Sequence, residues 1–121
     1  AFFGSVLTHF SKTYNSPTMS PECPDDKKYK VVEDITKIIE GKSKNNTNIG
    51  GQKIASILKV NGVRFTLEDG SWGLVRASSN TPNLVVVCES QTSEDILKKI
   101  FQFIDKILKE FKDIGPYDQS I

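Results

Sequence analysis

The sequence predicts an α+β domain in which two helices cover a sheet of roughly four, mainly antiparallel strands. Three observations carry this. Asn61-Gly62, a dipeptide suited to the two positive φ angles of a type I′ turn, separates the apolar runs 54–60 and 63–67 and predicts a hairpin. Residues 84–88, Leu-Val-Val-Val-Cys, are apolar at every position, as in a strand lying mid-sheet and covered at least partly on both faces. Segments beginning at Asp25 and at Thr92 or Ser93 place their apolar residues at helical spacing.

A chain of 121 residues is one domain with room for one modest core. Sixteen Lys plus Arg against 15 Asp plus Glu leave a net charge of +1, so bulk electrostatics draws the chain to neither nucleic acid nor an anionic membrane. Any bound anion must be held by local geometry. The longest apolar run is far short of the ~20 residues of a membrane span. The opening Ala1-Phe2-Phe3 lacks the basic flank of a signal peptide, so a cytoplasmic location is expected. Cys23 and Cys88 are far apart with no paired spacing, which fits reduced thiols.

In chain order, residues 2–12 show helix-like apolar spacing at Phe3, Val6, Leu7 and Phe10 and end before Pro17. With Ala rather than Met first, residues 1–14 are expected to be the remnant of a preceding domain or connecting helix, and residues 15–121 the domain proper. Three prolines between residues 16 and 24 predict an extended edge segment. Asp25 and Asp26 are expected to cap the first helix and complement its dipole, with Val31, Val32, Ile35, Ile38 and Ile39 as the buried stripe.

Residues 41–51, rich in Asn, Ser, Lys and Gly, are expected to form a surface loop. In the hairpin, Val63, Phe65 and Leu67 alternate with Arg64, Thr66 and Glu68, giving one buried and one wet face. Asp69-Gly70 turns the chain into a strand at residues 72–76. The last helix starts with Glu94 and Asp95 in its first turn and carries Ile96, Leu97, Ile100, Phe101, Ile104, Ile107, Leu108 and Phe111, with Gly115-Pro116 expected to stop it.

One loop combines a fixed cation with clustered small polar residues between two strands: Arg76-Ala77-Ser78-Ser79-Asn80-Thr81-Pro82. A guanidinium matches two phosphate oxygens, and hydroxyls with unpaired backbone N–H groups can close around the rest. The same composition also suits an ordinary surface turn.

Gly70-Ser71-Trp72-Gly73-Leu74-Val75-Arg76-Ala77-Ser78-Ser79-Asn80-Thr81-Pro82, with the strand that follows, resembles the phosphate-binding loop of the α-D-phosphohexomutases. Ser16-Pro17-Thr18, Asp25-Asp26-Lys27-Lys28-Tyr29 and Asn61-Gly62-Val63-Arg64 resemble the entry and hairpin of that family's C-terminal domain. Its pattern is Arg, any residue, Ser, then Gly or Asn, Thr, and often Glu or Thr before Pro. Arg76 and Ser78 match, whereas Ser79-Asn80 is either a substitution or places Asn80-Thr81 one position along. The Trp-Gly-Leu-Val-Arg-Ala-Ser wording resembles phosphomannomutase/phosphoglucomutase more than phosphoglucosamine mutase.

The resemblance implies a phosphoglucomutase C-terminal domain-like (TBP-like) fold, and a parent isomerase that moves a phosphoryl group between the 1- and 6-positions of mannose or glucose phosphate. It implies that Arg76, Ser78, Ser79, Asn80 and Thr81 hold the non-reacting phosphate. The family's phosphoserine, magnesium and sugar-recognition loops do not occur in these residues, so the chain alone is expected to be inactive, without catalytic residues, metal or cofactor. Mg2+ and the remaining domains would belong to the parent.

Among other residues, His9 is expected to play no catalytic part, and Trp72 is expected in the core. Lys98, Lys99, Lys106, Lys109 and Lys112 are interleaved with acids and predict a solvated face. The rival function is a stand-alone α+β interaction module for RNA or a peptide. Against it stand the balanced charge and the absence of aromatics spaced for base stacking.

Overall fold

Val63, Phe65 and Leu67 are wholly buried while Arg64 and Glu68 are exposed, and this alternation sets the side of the sheet on which the core forms. The computed structural model describes residues 13–119. Strands β1 (Tyr14–Asn15), β2 (Asn48–Ile49), β3 (Gln52–Leu58), β4 (Val63–Leu67), β5 (Trp72–Ala77) and β6 (Leu84–Ser90) pair antiparallel in the order β1-β6-β5-β4-β3-β2. Helices α1 (Lys28–Lys44) and α2 (Glu94–Leu108) share one buried cluster with the inner face of this sheet. The α+β class is as expected. The sheet has six strands rather than four because β1 and β2, two residues each, are too short to show alternation and exist through pairing with β6 and β3.

The proline-containing segment continues β1 along β6. Met19 exchanges backbone hydrogen bonds with Val86, and Pro21 O accepts from Leu84 N. Its prolines occupy an edge, where a missing donor does least harm. β6 is therefore internal although second in order, with Leu84, Val86 and Cys88 buried and the intervening valines half-buried.

Helix α1 starts differently from expectation. Neither Asp25 nor Asp26 caps it: Lys27 holds the cap position without a side-chain bond, and Pro24 O accepts from the N–H groups of Lys27 and Lys28. Asp25 instead meets the Lys28 ammonium at 2.8 Å. The helix also runs through Gly41 to Lys44, past the expected start of the loop, and the chain then leaves through Asn46 at φ 57°. Within that supposed loop Ile49 is buried, and Gly50-Gly51, at φ 61° and 84°, makes the two-residue turn between β2 and β3.

The β3–β4 hairpin exists, but its last pair is Leu58↔Arg64, so Asn61-Gly62 sits in a longer connection rather than a two-residue turn. Both residues do have positive φ, 56° and 129°. Helix α2 begins as expected, with Ser93 Oγ accepting from Ile96 N at 3.2 Å and acids in the first turn. It ends at Leu108, well before Gly115-Pro116, whose backbone instead bonds Glu22 on the edge segment.

Trp72 is not in the core. It lies half-buried on the outer sheet face, where its Nε1 donates to Glu89 Oε2 at 3.2 Å and the Arg64 guanidinium carbon sits 4.2 Å from the ring centroid. β5 puts Gly73 and Val75 inward, so the pleat carries Trp72 outward. Arg64, expected to be simply wet, has this partner. The five lysines along and after α2 are all exposed. The expected helix at 2–12 and His9 lie outside the described residues. Among the described residues no helix is long and apolar enough to cross a membrane.

Candidate phosphate-binding loop

Arg76 owes its position to β5, whose register against β6 pairs Arg76 with Val85 and Ala77 with Leu84 and so ends the strand at the mouth of the 78–83 loop. The side chain is half-buried, and Nη1 makes only a long 3.4 Å contact to Ala77 O at the loop's first residues. Among the described residues no carboxylate lies within ion-pair distance of it. A guanidinium has five N–H donors, so apart from the one directed at Ala77 O its donors stay available.

The loop closes on itself. Ser78 N donates to Asn83 O at 2.9 Å, Asn83 N donates to Thr81 O at 2.8 Å, and Thr81 Oγ1 donates to Ser78 Oγ at 2.9 Å. It is held from outside by Cys23 N donating to Pro82 O at 2.9 Å and by Asn83 Nδ2 donating to Ser20 O at 3.0 Å. From the helix side the Lys28 ammonium donates to Thr81 O at 2.9 Å. Within this frame the backbone N–H groups of Ser79, Asn80 and Thr81 find no acceptor among the described residues. Consecutive free N–H groups in a turn have the character of an anion nest.

A cleft of about 820 Å³ opens between α1 and the tip of the β3–β4 hairpin, lined among others by Tyr29, Lys37, Lys59, Gly62, Arg76 and Ser79. Of the five residues expected to hold a phosphate, Arg76 and Ser79 line this cleft. Ser78 and Thr81 instead bond to each other across the loop, and Asn80 is exposed at its tip. Lys59 is engaged by Glu40 at 2.9 Å. Among the described residues no cluster of three or more His, Cys, Asp or Glu could hold a metal ion.

Sequence reasoning missed two contributors. Lys28 is almost wholly buried beneath the loop, and Gly62 packs directly on the strand that bears Arg76. The i,i+3 spacing of Asp25 and Lys28 was visible, but that pattern usually marks a solvated pair.

Residues 21–107, which include both strands of the loop and the helix beneath it, match the family model for the phosphoglucomutase/phosphomannomutase C-terminal domain. A phosphopentomutase of Thermococcus kodakarensis is 30% identical over 109 residues, covering 88% of this chain and 23% of that protein. A probable phosphoglucosamine mutase of Methanosphaera stadtmanae is 31% identical over 110 residues, covering 89% of the chain and 22% of the relative. Another from Methanothermobacter thermautotrophicus is 32% identical over 72 residues, covering 60% and 14%. The chain thus spans less than a quarter of the length of each of these relatives, whose names refer to more than one sugar. With most of its length inside the match, the chain belongs to the phosphoglucomutase/phosphomannomutase C-terminal domain family.

Proposed function

We propose that this domain holds the non-reacting phosphate of a hexose phosphate, mannose or glucose 1-/6-phosphate, while a parent phosphomutase of the phosphomannomutase/phosphoglucomutase type transfers a phosphoryl group within the sugar. The observation that carries the reading is the pairing of an uncompensated Arg76 guanidinium with three consecutive free N–H groups, at Ser79, Asn80 and Thr81. Arg76 is the bidentate anchor, and Ser78, Ser79, Asn80 and Thr81 supply the remaining donors. Binding energy from a phosphate remote from the reacting bond orients the sugar and helps close the cleft, so a domain without a base or nucleophile still raises turnover. Mg2+, phosphoserine and sugar recognition belong to the other domains of a cytoplasmic parent, and this chain alone turns over no sugar phosphate.

The test is an amide chemical-shift titration of the chain with glucose 1-phosphate, mannose 1-phosphate and a short RNA. Shifts at residues 76–81 with either sugar phosphate, lost in Arg76→Ala while the fold persists, are expected. Silence toward both sugar phosphates, or turnover of either by the chain alone, overturns the reading.

A further inference from the structure

Lys28 is 3% exposed, and lysine is among the residues least often buried to this degree. Its ammonium has given up water for two partners, Asp25 Oδ1 at 2.8 Å and Thr81 O at 2.9 Å, and lies 5.3 Å from the centroid of the Tyr29 ring. Asp25 itself is 68% exposed, so its share of the pair is screened by solvent. Burying an ion pair is a poor route to stability, since an apolar side chain of similar volume often serves as well. What an apolar residue could not supply is a directional bond to one particular carbonyl and a charge beneath the loop.

We propose that Lys28 is a positioning residue of the phosphate loop, fixing the Thr81 carbonyl so that the N–H groups preceding it, at Ser79, Asn80 and Thr81, face an incoming phosphate. The inference rests on the loop being a phosphate receptor. Thr81 O is held by two donors, Lys28 Nζ and Asn83 N, which fixes the Thr81–Pro82 peptide plane and, through the Thr81 Cα, constrains the preceding unit that carries the Thr81 N–H. The carbonyl oxygens are the part of such a turn that repels an anion, and the ammonium offsets this one. Lys28 is also the first residue of α1, the helix that presents Tyr29, Val32 and Thr36 to the cleft, so one bond ties the cleft's helical wall to its loop. Arg76 provides the charge that touches ligand, and Lys28 acts through Thr81.

The experiment compares wild type, Lys28→Met and Arg76→Ala as full 121-residue chains by nitrogen and carbon NMR, without ligand and titrated with glucose 1-phosphate or inorganic phosphate. Lys28→Met keeps the stem and removes the donor. In the ligand-free variant the Thr81 carbonyl carbon and the 78–83 amides are expected to move while α2 stays unchanged. Its affinity for glucose 1-phosphate should fall about tenfold, the order expected for one charge-assisted hydrogen bond. A merely stabilising lysine would lower the melting temperature and leave affinity in the folded variant unaltered. Wild-type affinity together with an unmoved Thr81 carbonyl overturns the proposal. If Lys28→Met does not fold, the Lys28 Nζ resonance of wild type decides: movement with the midpoint of the loop amides supports the proposal, and immobility while those amides shift overturns it. A wild-type chain whose loop ignores both phosphates fails the phosphate reading itself and takes this inference with it, an outcome recognisable before any variant is made.

Discussion

Gly62 lies so close to Arg76 that a β-carbon on the glycine would stand 2.6 Å from Arg76 Cβ and 2.5 Å from Val75 O. Its φ of 129° is in the region that L side chains rarely adopt. Gly62→Ala therefore faces both backbone strain and a clash with the main chain that carries Arg76. We expect a loss of about 1–3 kcal/mol in urea unfolding, the usual cost of one such strained residue. Glucose 1-phosphate binding should weaken too, because Arg76 moves. An alanine variant with wild-type stability and affinity would show that the hairpin tip does not support the arginine.

Gly73 faces the core between Phe65 and Ile104. A β-carbon there would lie 2.7 Å from Phe65 Cζ and 2.9 Å from Ile104 Cδ1, and both side chains are fully buried, with Phe103 edge-on to Phe65 at a centroid distance of 5.3 Å. Alanine ordinarily strengthens a strand relative to glycine, but here overpacking prevails. Gly73→Ala is expected to destabilise by about 1–3 kcal/mol. Because only the core is disturbed, a folded variant should retain phosphate binding.

Burial alone would raise the pKa of Asp69, yet hydrogen bonds from the Thr92 hydroxyl and from Ser71 N at 2.8 Å, with Gln52 nearby, hold its carboxyl down at about 2. A depressed carboxylate stabilises the folded state above the unfolded-state pKa of 3.8, and that contribution fades as pH falls toward 2. Discounted for solvent contact, it amounts to about 1 kcal/mol. Asp69→Asn should thus be less stable than wild type at pH 7, and the difference should shrink between pH 4 and pH 2. A difference independent of pH would place its origin elsewhere.

Burial pushes the Cys88 thiol up to about 12, and burial with the nearby Asp113 charge raises that of Cys23. The thiolate is the reactive form, so neither native cysteine should react appreciably with a thiol reagent at pH 8, and both should react once the chain is unfolded in urea. Rapid labelling of native Cys88 would mean that β6 opens readily.

The elements were legible because their signals are local. Ser93 with Glu94 and Asp95 announces α2 through capping and dipole chemistry, and the alternation of Val63, Phe65 and Leu67 announces a one-sided sheet through the two-residue period. Arg76 and its polar loop stood out for a comparable reason, since guanidinium and small hydroxyl residues in one short turn suit an anion. Boundaries were less legible where local signals conflicted. Gly41 and its polar neighbours suggested a loop, yet the helix continues to Lys44 because the packing of Ile35 and Ile39 extends it past a weak helix former.

The sequence alone determined what can be read along the chain: strand and helix periods, turn chemistry, and the family wording of residues 70–82. Tertiary structure alone decided what meets across it. Lys28 and Thr81 are 53 residues apart, and nothing in either neighbourhood marks the lysine for burial. Trp72 faces outward because Gly73 takes the inward position against Phe65, a packing relationship between strands. Periodicity specifies which face of an element is apolar but not which polar group of a distant element will stand beside it, and the support of this candidate site is made of such encounters.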